Sequence, residues 1–117
     1  MQIVRSADAP TYEAPKHIGV RAHRLQGGEV SGASFCAIGL SCYAPGGRAE
    51  MDASPQEKLY VLLSGELTVR LASGEHTVLR PFDSCRIEPN EMRAVENLGG
   101  DEAILLVITP PPTAERP

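Results

Sequence analysis

Gly46-Gly47-Arg48-Ala49-Glu50-Met51-Asp52-Ala53-Ser54-Pro55-Gln56-Glu57-Lys58-Leu59-Tyr60-Val61-Leu62-Leu63-Ser64-Gly65 is the stretch whose reading decides the fold. A Pro45-Gly46-Gly47 turn opens it. Leu59 to Leu63 is an apolar run with one aromatic, the composition of a buried strand. Ser64-Gly65-Glu66 reads as a tight turn. Leu67-Thr68-Val69-Arg70-Leu71 then alternates apolar and polar side chains, as a half-buried return strand does.

Working outward from this hairpin, the same pattern recurs. Upstream, Ile18 to Leu25 alternates weakly and predicts a first strand. Ser34 to Tyr43 predicts a second, with Cys36, Ile38, Leu40 and Cys42 on one face by the period-two rule. Residues 1 to 17, with Pro10 and Pro15, read as an extended arm. Downstream, His76 to Leu79, Ser84 to Ile87 and Met92 to Asn97 are short strands, and Glu102 to Thr109 is the most apolar one. Pro110-Pro111-Pro112 ends the sheet and leaves 110–117 as a loose tail. About seven to nine short strands with no long helical pattern predict an all-β jelly-roll barrel of roughly eight strands over residues 18–109.

Bulk properties exclude several functions. The chain has 117 residues, enough for one modest core. Net charge is −4 with both signs interspersed, and aromatics are 4 % of residues, so neither a basic block nor a stacking platform for nucleic acid is present. No apolar run is long enough to span a membrane. The N-terminal residues show no signal-peptide pattern, so a cytoplasmic location is expected. Cys36, Cys42 and Cys85 form no Cys-x-x-Cys pair and read as reduced, inert thiols.

The stretch from Gly46 to Gly65 resembles the first motif of the cupin superfamily, in which a glycine, a His-x-His pair, a glutamate and a second glycine stand at fixed spacing. Phe82 to Asn97 is similar to the second motif, with Asp83, Pro89 and Asn97 matching it and Asn90 replacing its turn glycine. The usual metal ligands are replaced: Asp52 and Ser54 stand for the two histidines, Lys58 for the glutamate and Arg93 for the last histidine. Lysine and arginine in their charged forms offer no lone pair, so no metal and no other cofactor is expected here.

If the strand directions of that superfamily hold, positions 52, 54, 58 and 93 point into the barrel, and period two adds Tyr60, Leu62 and Val95. Arg86 joins them if its strand faces inward. These side chains suit a small organic anion. Arg93, Ser54 and Arg86 would bind it, and Lys58 would stabilise an oxyanion. Asp52 or Tyr60 would move a proton. Metal-free sugar epimerases occur in the superfamily, so metal-independent isomerase, tautomerase, cyclase or decarboxylase chemistry is expected. Three alternatives stay open. Asp52, Lys58 and Arg93 neutralise one another; or the pocket binds or senses a ligand without turnover; or a metal is held by other ligands such as His17, His23 and Asp52. Glu50 would be a further acid if it turned inward. His17 is expected near the barrel rim, and His23 and His76 in solvent. Apolar residues on both strand faces at Phe35, Tyr43 and Ile104 to Ile108 predict a homodimer.

Overall fold

The computed structural model describes residues 1–111. The sequence-level tail at 110–117 lies largely outside them. After a single 3-10 turn at Ser6–Asp8 come nine strands: β1 (Thr11–Tyr12), β2 (His17–Gln26), β3 (Ala37–Asp52), β4 (Lys58–Ser64), β5 (Leu67–Leu71), β6 (His76–Leu79), β7 (Ser84–Ile87), β8 (Arg93–Glu96) and β9 (Ala103–Thr109). No α-helix occurs among the described residues, and none is long and apolar enough to cross a membrane. The strands run β6-β5-β8-β3-β9-β4-β7, with β2 also on β3 and β1 on β2, every pairing antiparallel. This is an all-β, nearly closed jelly-roll barrel.

β3 carries the architecture. Its first half pairs with β9 from Ala37↔Thr109 to Tyr43↔Ala103, and its second half pairs with β8 at Arg48, Ala49 and Asp52. The expected turn at Pro45-Gly46-Gly47 is instead a corner inside this one strand. Gly46 has φ +80°, and a Cβ on Gly47 would sit 2.4 Å from the Gly19 carbonyl oxygen. Glycine at 47 therefore lets β2 and β3 bend together. β3 begins at Ala37, so Cys36 precedes it.

The core lies at the closed end of the barrel. Tyr43, Leu62, Leu67, Leu79, Ile87, Val95 and Leu105 pack together there. The inward face of β3 proves to be Ala37, Gly39, Ser41 and Tyr43; Ile38, Leu40 and Cys42 face outward. Asn97 is fully buried and satisfied. Its Nδ2 donates to the carbonyls of Tyr43 (3.0 Å) and Asp101 (2.8 Å), and its Oδ1 accepts from Gly99 N–H (3.0 Å). A buried amide this well bonded ties the β8–β9 turn to β3.

Candidate functional site

Adjoining the core, which shares Tyr43, Tyr60 and Leu105 with it, a cavity of about 440 Å³ is enclosed by the inward faces of β3, β4, β8 and β9 and the arm ahead of β2. Asp52, Ser54, Lys58, Tyr60 and Arg93 all line it. Lys58 and Tyr60 arrive there because they alternate with Leu59 and Val61 along β4. Arg93 opens β8 opposite Asp52.

Arg93 is buried, at 6 % exposure. Its Nε donates to the Tyr60 hydroxyl at 2.8 Å, and its Nη1 makes a long contact of 3.4 Å with the Asp52 backbone carbonyl. Nη2 has no partner among the described residues, and it is not sealed off either, because His23 Nδ1 is the one buried side-chain polar atom there left without a partner. Nη2 therefore opens to the cavity. Lys58 is half-buried and has no hydrogen-bond or carboxylate partner among the described residues. Burial lowers its pKa, and the Arg93 charge lowers it further.

Asp52 does not neutralise these cations by direct pairing. Its Oδ1 accepts the Ala53 N–H at 2.9 Å and lies 3.6 Å from Lys16 Nζ at the rim. The Ala53 hydrogen bond holds its pKa below the usual carboxylate value, aided by Lys16. Glu50 is exposed and pairs with Arg48, so it supplies no further acid to the cavity. Ser54 spends its Oγ on the Gln56 N–H at 3.1 Å, as the end of a local turn.

Burial pushes the Tyr60 phenol pKa up, against the opposing Arg93 charge. Its oxygen accepts from Arg93, so its proton remains free to be donated. Tyr43 is raised as well, again by burial.

Arg86 is not in the cavity. β7 turns Ile87 inward, and Arg86 lies on the outer surface paired with Glu57 and Glu88. Leu62 and Val95 belong to the packed core below the cavity and do not line it. His23 is half-buried rather than solvent-facing, and it lies off the cavity, whereas His76 is exposed. Burial raises the thiol pKa of Cys42 and Cys85, which suits inert packing groups.

Several lining residues have no strong sequence signal. Tyr12, Glu13 and His17 come from the arm, which reaches the mouth because β1 pairs with β2 at Thr11↔His23. His17 Nδ1 lies 2.8 Å from the Pro15 carbonyl, and its ring centroid is 6.4 Å from that of Tyr43. Burial lowers the His17 pKa, with Arg93 and Lys58 acting the same way. Arg24 also lines the cavity, its guanidinium 4.5 Å from the Tyr12 ring centroid. Its phase with Val20 and Ala22 was the available clue to its facing.

The side chains present do not suit a divalent metal. At the four usual ligand positions, Lys58 and Arg93 have no lone pair to give and would repel a cation, leaving Asp52 and Ser54. His17 adds one nitrogen and Glu13 one carboxylate from the arm. Among the described residues no three His, Cys, Asp or Glu side chains gather as a metal site would require.

The chain is 41 % identical over 115 residues to Beta-D-galactosidase Rv1717 of Mycobacterium tuberculosis, covering 98 % of both chains. Its fold is similar to the polyketide cyclase RemF from Streptomyces resistomycificus, with TM-score 0.83 at 18 % identity, covering 94 % of this chain and 79 % of that one. It is also similar to a sugar phosphate isomerase of the cupin superfamily from Silicibacter pomeroyi, with TM-score 0.70 at 19 % identity, covering 80 % of this chain and 60 % of that one. Residues 39–109 match the cupin domain family, so the chain belongs to the cupins, as a small single-domain member in which the usual metal ligands are replaced.

Proposed function

We propose that this cupin is a metal-independent enzyme that binds a small organic anion and moves a proton on it, in isomerase or lyase chemistry. One observation carries the reading: Lys58 and Arg93 face the same cavity and neither has a carboxylate partner among the described residues. Two partly desolvated cations with Asp52 near them but no directly paired carboxylate are costly unless a ligand supplies further negative charge. A planar carboxylate, or the enolate of an oxo-acid, matches the open Arg93 Nη2 and the adjacent ammonium. Lys58 then holds negative charge as it develops on oxygen, which is the role a metal would otherwise fill. Tyr60 keeps its proton and is placed to donate it.

The test is solvent-deuterium uptake. Small oxo-acids and sugar acids are incubated with chelator-free protein in D2O and followed by NMR. Wash-in at a carbon beside the carbonyl, lost in Lys58→Met and Arg93→Met, supports the reading. Full exchange in both variants would overturn the roles, and binding without exchange would favour a ligand-binding or sensor domain.

A second reading has its own support. The 41 % identical relative is named a β-D-galactosidase, and Glu13 and Asp52 are two carboxylates lining this cavity. Glycoside hydrolysis ordinarily uses two such groups, one of them protonated. The hydrogen bond from Ala53 and the charge of Lys16 keep Asp52 ionised, so Glu13 would be the acid. Release of nitrophenol from nitrophenyl β-D-galactoside, lost in both Glu13→Gln and Asp52→Asn, would favour this reading over proton transfer on an anion.

We also propose a homodimer. Ile38, Leu40, Ile104, Leu106 and Ile108 form a continuous outward face by register, flanked by the exposed Leu59. A two-fold copy is the simplest cover for such a sheet. Tyr43, counted with this apolar set from the sequence, is buried in the core, and Phe35 is 84 % exposed.

A further inference from the structure

We infer that His17 is the proton-transfer base of the cavity and that it acts through Nε2. The inference rests on the anion-binding reading above and assigns the base that Asp52 and Tyr60 do not supply.

The tautomer follows from the partner. Pro15 offers a carbonyl oxygen, which can only accept, so the His17 Nδ1 at 2.8 Å must carry the proton. In the neutral ring the lone pair then sits on Nε2. Nε2 has no partner among the described residues and is not a sealed, orphaned atom, and His17 lines both the cavity and a neighbouring depression along β1 and β2. The backbone and one ring face are placed by neighbours. β2 begins at His17, registered against Ala49, and Tyr43 packs against the ring at a 52° tilt.

The charges around it favour a neutral ring in the ligand-free protein. Arg93 comes from β8, Lys58 from β4 and Asp52 from β3, with Glu13 from the arm. Burial, with the two cations, outweighs the opposing Pro15 hydrogen bond and Asp52, so the His17 pKa lies below the ordinary histidine value. The rivals are less suited. Asp52 is already committed to Ala53 and Lys16, and a carboxylate so stabilised is a weak base. Tyr60 holds its proton.

The step balances without a co-reactant. A C–H bond beside a substrate carbonyl breaks and its proton forms an N–H bond at His17 Nε2. The electron pair moves into the carbonyl, making an enolate oxygen that Lys58 and Arg93 hold. Return of the proton to a neighbouring atom completes the isomerisation.

The test is imidazole nitrogen NMR on the full-length protein, with His17→Asn for assignment. Asparagine keeps an N–H for Pro15 but no base. Oxalate, a stable mimic of a planar enolate, is the probe. The expected result is the Nδ1–H tautomer in the free protein, with the His17 pKa rising when oxalate binds. An Nε2–H tautomer overturns the inference, as does oxalate binding that shifts Lys58 and Arg93 signals and leaves His17 unmoved. Failure of the underlying reading looks different: oxalate then shifts no cavity signal at all. On a turned-over substrate, His17→Asn is expected to lower kcat about 100-fold or more. The acid limb of kcat/KM is expected below the ordinary histidine pKa of 6.5.

Discussion

The cations on the outside of the barrel and those inside its cavity are treated differently. Lys16, Arg21, Arg48, Arg70, Arg80 and Arg86 each have a carboxylate within ion-pair distance. Arg24, Lys58 and Arg93 have none among the described residues, and all three line the cavity. Arg5 is the other described cation without one, and it is exposed in the N-terminal arm. Charge is thus neutralised where water would have screened it anyway, and left open where burial makes it expensive. Two carboxylates, Glu13 and Asp52, do line the cavity, yet neither lies within ion-pair distance of Arg24, Lys58 or Arg93. On the reading proposed above, the cavity charge is kept for something that enters.

The largest expected effect breaks this contrast from the inside. Arg93→Met removes the charge-assisted donor at Nη2, at about 1.5–3 kcal/mol for each hydrogen bond lost. Affinity for a small dianion is expected to fall on the order of 100-fold by calorimetry. Leu62→Ala probes the packed end instead. It should cost about 2–5 kcal/mol of stability, read by denaturant unfolding, because a fully buried leucine leaves a cavity among well-packed neighbours.

A pH series sharpens the comparison further. Because burial and Arg93 lower its pKa, Lys58 loses its charge at lower pH than an ordinary lysine at 10.5. Anion affinity should therefore decline as pH rises through that lowered value. The ligand-free protein should gain stability over the same window, since above the folded pKa and below 10.5 the unfolded chain binds the extra proton. For His17 the folded pKa is also lowered, so stability is lost as pH falls from 6.5 through the folded value. Lys58→Met should remove the alkaline limb and leave the acid one, which thermal melts across pH would resolve.

The smallest effect is on the outside. Arg80 pairs with Glu66 at 3.3 Å, both well exposed. Arg80→Met should change stability by about 1 kcal/mol or less and leave anion affinity alone. Light scattering checks the proposed homodimer separately. A monomer at micromolar concentration would contradict it.

Much of this was legible in the sequence, for physical reasons. β5, β6 and β7 fall where alternation and turn chemistry put them, and each is a short antiparallel element bounded by a Gly or Pro turn. The motif spacing from Gly46 to Gly65, with period two, brings Asp52, Ser54, Lys58 and Tyr60 to one cavity, and the second motif from Phe82 to Asn97 adds Arg93. What failed was decided by tertiary pairing. Pro45-Gly46-Gly47 has the composition of a turn, yet β2, β8 and β9 pair along β3 on either side of it and keep it in the sheet as a corner. Arg86 sits in a strand of four residues, too short for alternation to assign its face. The arm carries no periodicity at all. His17 lines the cavity, as its expected place near the rim implies, but the place of Tyr12 at the mouth depends on β1 pairing back onto β2, a contact no local pattern announces.

The measurement that bears most directly on the unpaired cavity charge is a calorimetric titration of oxalate into three chelator-free proteins: the native chain, Arg93→Met and Arg80→Met. One-site binding to the native chain and to Arg80→Met, weakened about 100-fold in Arg93→Met, is the expected result. Equal affinity in all three, or no binding to the native chain, would contradict an anion site built on Lys58 and Arg93.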